Sequence, residues 1–311
     1  TLRRVAKEIT AREGVKSASL SMGTEADRRI LAAGGFDLTG LEAGPNDLIL
    51  AVAGEESVLE EALSTAKAYL ANPPWRQNQE GGETYRPRSL DGAVTVLPEA
   101  NLAIVSVAGR YAGDVALECL GRDLNVMLYS DNVSLEKEVE IKKVAREKGL
   151  LVMGPDCGTI IVRGVAMGMA NACPTGPVSL VAAAGTGLQE VHVQLAKRGV
   201  GTLHGIGTGG RDVKAEVGGL MVEMGVQTLL ADDEVKVLVV VGKPPAPEVE
   251  QKILAQVRAG GKPAVLGFIG GEARGDQPPV YICRELEETA AVAAALAKGE
   301  DVAAARRSLA E

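Results

Sequence analysis

The sequence predicts an α/β protein with two doubly wound parallel-sheet domains, preceded by a small α/β N-terminal unit. Short, continuous apolar runs such as 178-VSLVAAAG-185 and 235-VKVLVVVG-242 have the length and composition of strands buried on both faces. Amphipathic helical patterns separate these runs, and this alternation is typical of parallel sheets covered by helices. Glycine-rich turns follow several of the predicted strands, where ligands of such sheets bind.

The order of these patterns divides the chain of 311 residues into four parts. Residues 1–71 carry two predicted strands, 16–22 and 47–54, and two helical runs. Residues 72–93 are rich in Pro, Gly, Gln and charge, which predicts a linker, and their Trp75 is a candidate for docking on a partner. Two doubly wound domains follow at 94–173 and 176–311, the second ending in an extra strand and helix. Their predicted strands are 102–109, 124–130, 150–154, 178–185, 201–207, 235–242, 263–270 and 280–284.

The charge and cysteine content exclude several classes of function. A net charge of −8 leaves no broad basic surface, so neither nucleic acid nor a membrane is an expected partner. No apolar run approaches the roughly 20 residues that span a bilayer. The cysteines lack Cys-x-x-Cys spacing and neighbouring histidines, which argues against metal sites and disulfides and favours the cytoplasm. They are Cys119, Cys157, Cys173 and Cys283.

The first candidate ligand loop is 183-AAGTGLQE-190. Gly185, Thr186 and Gly187 follow a buried strand, and the next apolar residues share one helical face. A helix that begins at this turn presents free N–H groups and a positive dipole end, which together hold a phosphate or carboxylate. The alternative is an ordinary tight turn between a strand and a helix.

The second candidate loop is 205-GIGTGGRD-212. Its glycines, including Gly207, Gly209 and Gly210, let the backbone approach a ligand, and Arg211 offers two parallel donors to an oxyanion. Two glycine-rich turns after successive strands of one sheet are expected to flank a single anion. Neither loop is a Walker motif, because no Gly-Lys-Ser/Thr follows.

Two further loops carry side chains suited to a site. Lys243 follows a buried strand and is a candidate contact for a phosphate or an acidic substrate. The alternative interpretation is that it is a solvated lysine beside prolines that start a helix. Asp156 and Cys157 lie in 154-GPDCGT-159. A carboxylate beside a thiol raises the thiol's pKa, so we expect Cys157 to be a small, mostly buried residue. Removing Asp156 is expected to cost more activity than removing Cys157.

The remaining titratable patterns predict structural roles. His192 lies beside apolar positions of a helix and His204 lies within a strand, so both are expected to be packed rather than catalytic. The charged helix at 134–149 is expected to be a solvated face with ion pairs at i,i+4 spacing.

Several segments of the chain resemble those of known protein families. The succession of 147-EKGLLVMGPDCGTII-161, 176-GPVSLVAAAGTGLQE-190 and the loop at 205–212 resembles the α subunit of succinyl-CoA synthetase. The segments 44-GPNDLILAV-52, 124-LNVMLYSDNVSLEKE-138 and 207-GTGGRDVKAEVGG-219 resemble the FdrA family of acyl-CoA-synthetase-like proteins more closely. The resemblance covers nearly the whole chain. It implies a Rossmann-like domain of the CoA-binding type at 94–173 and a flavodoxin-like domain of the ligase type at 176–311.

Two departures from the synthetases accompany this resemblance. Their α subunits relay phosphate through a histidine in a Gly-His-Ala-Gly loop, but 268-FIGGEARGDQPP-279 contains no histidine. A phosphohistidine relay at 268–279 is therefore predicted to be absent. The glycine-rich CoA loop of the synthetases also lacks a counterpart after the strand at 16–22.

The FdrA resemblance implies a subunit of a carbamoyltransferase-type enzyme, for which oxalurate and phosphate are exchanged for oxamate and carbamoyl phosphate in allantoin breakdown. That reaction needs neither CoA nor a histidine relay, and no cofactor is certain. Under this hypothesis the turn at 185–187 holds the phosphate, the loop at 209–211 stabilises the other oxyanion, and Arg211 and Asp156 are the catalytic residues. The expected binding residues are Cys157, Gly185, Thr186, Gly187, Gly207, Gly209, Gly210 and Lys243.

Two alternatives remain open at the level of sequence. One is a nucleotide-diphosphate-forming acyl-CoA ligase subunit, which binds CoA and works with a nucleotide-binding partner. The other is a scaffold or regulatory subunit that keeps an ancestral phosphate site. In each case the expected assembly is a homo-oligomer or a hetero-oligomer with a second subunit, and many FdrA proteins are longer than this chain.

Overall fold

A computed structural model describes residues 2–71, 87–272 and 275–309. The chain divides into two compact units, Thr1–Arg86 and Pro87–Glu311, and each is described by itself. Most of the predicted linker, including Trp75, lies outside the described residues. At the described end of the linker, residues 90–96 form a short helix, which overlaps the predicted linker at 90–93.

The N-terminal unit is a small α/β structure around a two-stranded antiparallel sheet. Helices α1 and α3 pack on this sheet through a core that includes Val5, Ile9 and Leu20. The second helix starts where the Thr24 side chain accepts a hydrogen bond from the Asp27 amide, as N-terminal capping residues do. The elements are α1 (Leu2–Thr10), β1 (Val15–Met22), α2 (Glu25–Ala33), β2 (Leu48–Gly54) and α3 (Glu56–Ala71).

The C-terminal unit begins with a three-stranded parallel sheet in the order β3-β4-β5. Helices α5 and α6 cover it through buried apolar residues such as Leu120, Leu128 and Ile141. Helix α6 starts at the capping residue Ser134 and ends at Gly149, which has the left-handed conformation that favours glycine. The elements are α4 (Leu90–Val96), β3 (Leu102–Val105), α5 (Gly109–Gly121), β4 (Asn125–Leu128), α6 (Leu135–Lys148) and β5 (Val152–Met153).

The rest of this unit forms a seven-stranded sheet in the order β12-β11-β10-β8-β9-β6-β7. Its strands β8 to β12 are parallel, and their order is that of flavodoxin-like folds. The elements are β6 (Thr159–Val162), β7 (Val165–Gly168), β8 (Val178–Ala182), α7 (Gly185–Lys197), β9 (Thr202–Gly207), α8 (Leu220–Ala231), β10 (Val237–Gly242), α9 (Pro247–Gly260), β11 (Ala264–Phe268), β12 (Val280–Cys283), α10 (Leu286–Lys298) and α11 (Val302–Arg307).

Strand β10 shows why the apolar runs are continuous. Val237, Val239 and Val241 belong to the core shared with helices α7 and α10. Leu238 and Val240 point to the opposite face, in the core shared with helices α8 and α9. Both faces of the sheet are covered, so no polar residue alternates along the strand. The predicted doubly wound α/β class is confirmed.

The hairpin of β6 and β7 is a difference from the prediction. These strands lie within residues 94–173, which the sequence assigns to the first doubly wound domain, but they extend the second sheet next to β9. Arg163 and Gly164 both have positive φ angles, as a two-residue hairpin turn requires. Each strand is only four residues long. Most of β6 is buried and most of β7 is exposed, so neither strand shows an alternating apolar pattern.

The helices of the described ranges do not reach the length and hydropathy that a bilayer crossing requires.

Candidate functional site

A cavity of about 450 Å³ opens at the carboxyl ends of strands β8, β9 and β10. The loops after these three strands line it, together with the turn before β6 and the end of β7. Strands β8 and β10 are adjacent in the sheet, and the chain leaves them toward opposite faces. This is the topological switch point at which open α/β sheets bind ligands.

The turn after β8 presents the first set of donors. Ala184 is the N-terminal capping residue of α7, and its side chain caps nothing. Gly185 and Thr186 line the cavity, and no protein acceptor for their amides occurs in the described ranges. The free amides and the helix dipole therefore favour an anion here. Gly187 is buried instead, and a Cβ added to it would lie 3.0 Å from Val241 Cγ1, so it serves packing.

The loop after β9 presents its backbone to the same cavity. Gly209 and Gly210 both line it. Gly209 has a φ of 84°, and a Cβ added to it would lie 2.8 Å from the carbonyl oxygen of Pro155, so only glycine fits against that turn. Gly207 does not line the cavity, because it lies in β9, where an added Cβ would be 2.8 Å from Cys157 Sγ.

Arg211, which the sequence predicts to bind an oxyanion, also contacts the protein itself. Arg211 lines the cavity, but its Nε lies 2.6 Å from Glu138 Oε2 and its Nη2 donates to the Val133 carbonyl at 2.8 Å. Its guanidinium is therefore partly committed to the protein. Lys243 and Lys214 also line the cavity, and neither has a carboxylate partner among the described residues. Lys214 was not predicted, although its position three residues after Arg211 in a turn-rich loop is a usable signal.

Helix α6 buries two of its charged residues under the loop after β9, which corrects the prediction of a solvated face at 134–149. Lys142 is fully buried, and its ammonium lies 2.7 Å from Glu138 Oε1 and 3.0 Å from Asp212 Oδ1. It also donates to the Thr208 carbonyl at 2.8 Å. The predicted i,i+4 pairing is present, but the sequence pattern did not reveal that this pair faces the loop rather than water.

The turn before β6 separates the two predicted roles of its residues. Asp156 is exposed and lines the cavity, with a positive φ of 59° and its amide bonded to the Ser130 carbonyl. Cys157 is buried, and its thiol lies 3.5 Å from the Thr159 carbonyl. Burial, helped by the charge of Asp156, raises the pKa of the Cys157 thiol to about 11. The thiol is therefore neutral near pH 7, as expected for a residue that fills the turn.

Alkylation should show that the buried Cys157 reacts more slowly than a partly exposed cysteine. In native protein treated with iodoacetamide at pH 8, the partly exposed Cys173 should be alkylated well before Cys157. Because only the thiolate reacts, labelling of Cys157 should rise as the pH approaches about 11. Mass spectrometry of peptides measures both, and denatured protein, in which every cysteine should react, is the control. Rapid modification of Cys157 at pH 8 in folded protein would contradict the assignment.

Neither histidine lines the cavity. The ring of His192 lies 2.9 Å from the Thr202 hydroxyl, and burial lowers the pKa of this imidazole. The ring of His204 lies 3.1 Å from an Asp232 oxygen. Both are packed side chains, as the sequence predicts.

A second, larger cavity of about 730 Å³ lies beside β2 in the N-terminal unit. Its lining contains Asp37, Glu42 and Asp47 but no lysine, arginine or histidine. An anion is therefore poorly suited to it, and the cavity at the ends of β8, β9 and β10 is the candidate site.

Two family models match parts of the chain. A model described as AllF, heavy metal-associated domain, matches residues 1–87. A model of the CoA binding domain matches residues 175–270. The second match falls on the flavodoxin-like sheet, whereas the family resemblance implies the CoA-binding type at residues 94–173.

The N-terminal match does not bring metal ligands with it. Heavy metals favour thiolate and imidazole ligands, and residues 1–87 contain neither cysteine nor histidine. In the described part of the chain, no group of three or more His, Cys, Asp or Glu is arranged to hold a metal ion. The residues present do not fit a heavy-metal site.

Curated relatives match over different lengths. Uncharacterized protein YahF of Escherichia coli K12 is 39% identical over 280 residues, which cover 89% of this chain and 54% of YahF. The α subunit of the ADP-forming succinate–CoA ligase of Methanothermobacter thermautotrophicus is 28% identical over 125 residues, 39% of this chain and 42% of that subunit. The chain thus spans about half the length of the curated relatives it matches.

Solved structures share the fold at low identity. ATP citrate lyase of Methanosaeta concilii, in complex with (3S)-citryl-CoA, has a TM-score of 0.58 and 16% identity, over 68% of this chain and 41% of that chain. The protein PH0766 of Pyrococcus horikoshii has a TM-score of 0.55 and 18% identity, over 70% of this chain and 50% of that chain. These likenesses, together with the CoA-binding-domain match and the succinate–CoA ligase relative, show an acyl-CoA-synthetase-like fold.

Proposed function

Because the chain belongs to the FdrA family of acyl-CoA-synthetase-like proteins, we propose that it is a subunit of a group-transfer enzyme that binds a phosphate-bearing small molecule. One observation carries the proposal. The cavity at the ends of β8, β9 and β10 combines the uncapped start of α7, the backbone of Gly209 and Gly210, and the ammonium groups of Lys214 and Lys243. Fixed N–H donors and cations of this kind hold a phosphate and stabilise charge that develops on it.

The favoured reaction within this class is carbamoyl transfer between carbamoyl phosphate and oxamate. The oxamate nitrogen attacks the carbamoyl carbon, the carbon–oxygen bond to phosphate breaks, and oxalurate and phosphate result. The amides of Gly185 and Thr186 hold the phosphate, and a lysine pairs with the oxamate carboxylate. Asp156 accepts the proton that the nitrogen loses. The supporting observation is that this chemistry needs no histidine, and neither histidine of the chain lines the cavity.

An acyl-CoA ligase subunit is the second candidate, supported by the CoA-binding-domain match over residues 175–270 and by the ligase-like fold. The same cations would then hold phosphates of CoA. A phosphohistidine relay through this cavity would need a histidine other than His192 and His204, the two that this sequence contains. A non-catalytic subunit that retains the anion site is the third candidate.

The test compares two substrate sets, with the chain alone and with the subunits that co-purify with it. Carbamoyl phosphate plus oxamate should yield oxalurate, detected by mass spectrometry. If ATP, CoA and succinate yield ADP, and carbamoyl phosphate plus oxamate yield no oxalurate, the result would overturn carbamoyl transfer in favour of the ligase. Phosphate binding without either reaction would favour the non-catalytic subunit.

A substitution at Thr186 should test the anion site independently of the reaction. Thr186→Asp places a carboxylate among the donors, so phosphate affinity measured by calorimetry should fall by about 1–3 kcal/mol. Thr186→Val keeps the amide and adds no charge, so it is the matched control and should lose much less. Equal phosphate affinity in Thr186→Asp and the unsubstituted protein would remove this turn from the site.

A further inference from the structure

The ammonium group of Lys142 is the centre of a closed set of contacts under the cavity. A lysine ammonium has three N–H donors, and three oxygens surround this one: Glu138 on the same helix, and Asp212 and Thr208 in the loop after β9. Each distance is 3.0 Å or less. The side chain is fully buried, so water does not compete for these contacts.

The two loop contacts enclose the residues that face the cavity. Thr208 and Asp212 are both completely buried, and Gly209, Gly210 and Arg211 lie between them. Asp212 is also anchored at its other side, where its carboxylate accepts hydrogen bonds from the Met221 and Val222 amides at the start of α8. Two adjacent glycines lose more conformational entropy on ordering than other residues do, so external contacts must hold them in one conformation.

The charges of the cluster balance only as a set. Glu138 and Asp212 carry two negative charges, and Lys142 and Arg211 carry two positive charges. Removing Lys142 alone leaves a net negative charge in a buried site, which is strongly unfavourable. Removing Lys142 and Glu138 together leaves one negative charge, on Asp212, and one positive charge, on Arg211, although no ion pair joins these two residues. The double substitution keeps the net charge of the cluster at zero, and Glu138→Gln alone shows how much the lost pairing with Arg211 contributes.

We propose that Lys142 is a positioning residue, which holds the segment from Thr208 to Asp212 so that the amides of Gly209 and Gly210 stay directed at the cavity. Its effect on ligand binding rests on the proposed function, whereas its hold on the loop does not. A preorganised loop spends no binding free energy on ordering itself. A purely structural ion pair, by contrast, would affect folding stability without a specific effect on this loop.

The test uses the full chain with Lys142→Met combined with Glu138→Gln, and Glu138→Gln alone is the matched control, because Glu138 also pairs with Arg211 in the loop. In ligand-free protein, amide hydrogen exchange in a peptide covering 205–219 should be about tenfold faster in the double variant than in Glu138→Gln, because the contacts of Lys142 with Thr208 and Asp212 are lost. A peptide covering 183–190 is the internal control and should exchange at the unsubstituted rate. Affinity for inorganic phosphate should fall about tenfold even where the denaturation midpoint is close to that of the unsubstituted protein.

Each outcome bears on one claim. Equal exchange at 205–219 in the folded double variant and in Glu138→Gln would overturn the positioning role. If exchange there is faster but the unsubstituted protein binds neither phosphate nor carbamoyl phosphate, the proposed function is wrong. The positioning role of Lys142 is still supported in that case. If the double variant does not fold, Asp212→Asn keeps an oxygen for one of the two α8 amides and removes the charge facing Lys142. It should raise exchange at 205–219 about two- to fivefold, and no rise would contradict the proposal.

Discussion

Replacing Gly209 with alanine should lower the free energy of unfolding by about 2–4 kcal/mol and remove measurable phosphate binding. The residue has a φ of 84°, which a side chain disfavours. An added Cβ would also lie 2.8 Å from the Pro155 carbonyl oxygen and 2.9 Å from the Gly154 carbonyl carbon, and these are backbone atoms that no rotamer change can move. The loop must therefore shift away from the turn, and its amides must leave their position in the cavity.

Gly210→Ala is the matched control for this prediction. An added Cβ there would lie 3.5 Å from the Ala183 carbonyl oxygen, an ordinary contact, and no positive φ adds strain. Urea denaturation should show a change within about 0.5 kcal/mol for Gly210→Ala. Equal denaturation midpoints for the two variants would contradict the packing described between Gly209 and the Gly154–Pro155 turn.

Replacing Arg211 with alanine should affect both folding and binding. Its guanidinium pairs with Glu138, whose side chain is only 1% exposed, so its loss leaves a buried carboxylate with Lys142 as a shared partner. Breaking a fully buried pair costs about 3–5 kcal/mol, and the side chain of Arg211 is 36% exposed, so we expect about 2–3 kcal/mol. Phosphate affinity should fall as well, because a cation and the loop conformation are lost together.

Lys214→Ala separates these two effects. It removes a cation that lines the same cavity but has no carboxylate partner among the described residues, so affinity should fall while the urea midpoint stays within error. Adding Glu138→Gln to Arg211→Ala should recover part of the lost stability, since the carboxylate is then neutral. If Arg211→Ala unfolds at the same urea concentration as Lys214→Ala, the buried pair contributes nothing and the prediction is wrong.

Local patterns were sufficient for the fold class and for part of the candidate site. Continuous valine-rich runs predicted strands covered on both faces, and β8 and β10 are such strands. Glycine-rich turns after parallel strands are expected to converge, which predicts that Gly185, Thr186, Gly209 and Gly210 lie together, and all four line one cavity. Their role in binding stays a prediction.

The sequence by itself determined the doubly wound architecture and the places where its loops end, because strand and helix periodicity is a property of neighbouring residues. Only the tertiary structure decided which charges meet. Lys142 bonds to Thr208, 66 residues away, and Arg211 bonds to Val133, 78 residues away. The charge pattern of α6 looks alike on a solvated and on a buried face. Which face is buried depends on how the loop after β9 packs against the helix, and burial is what converts an ordinary i,i+4 pair into contacts that fix the loop.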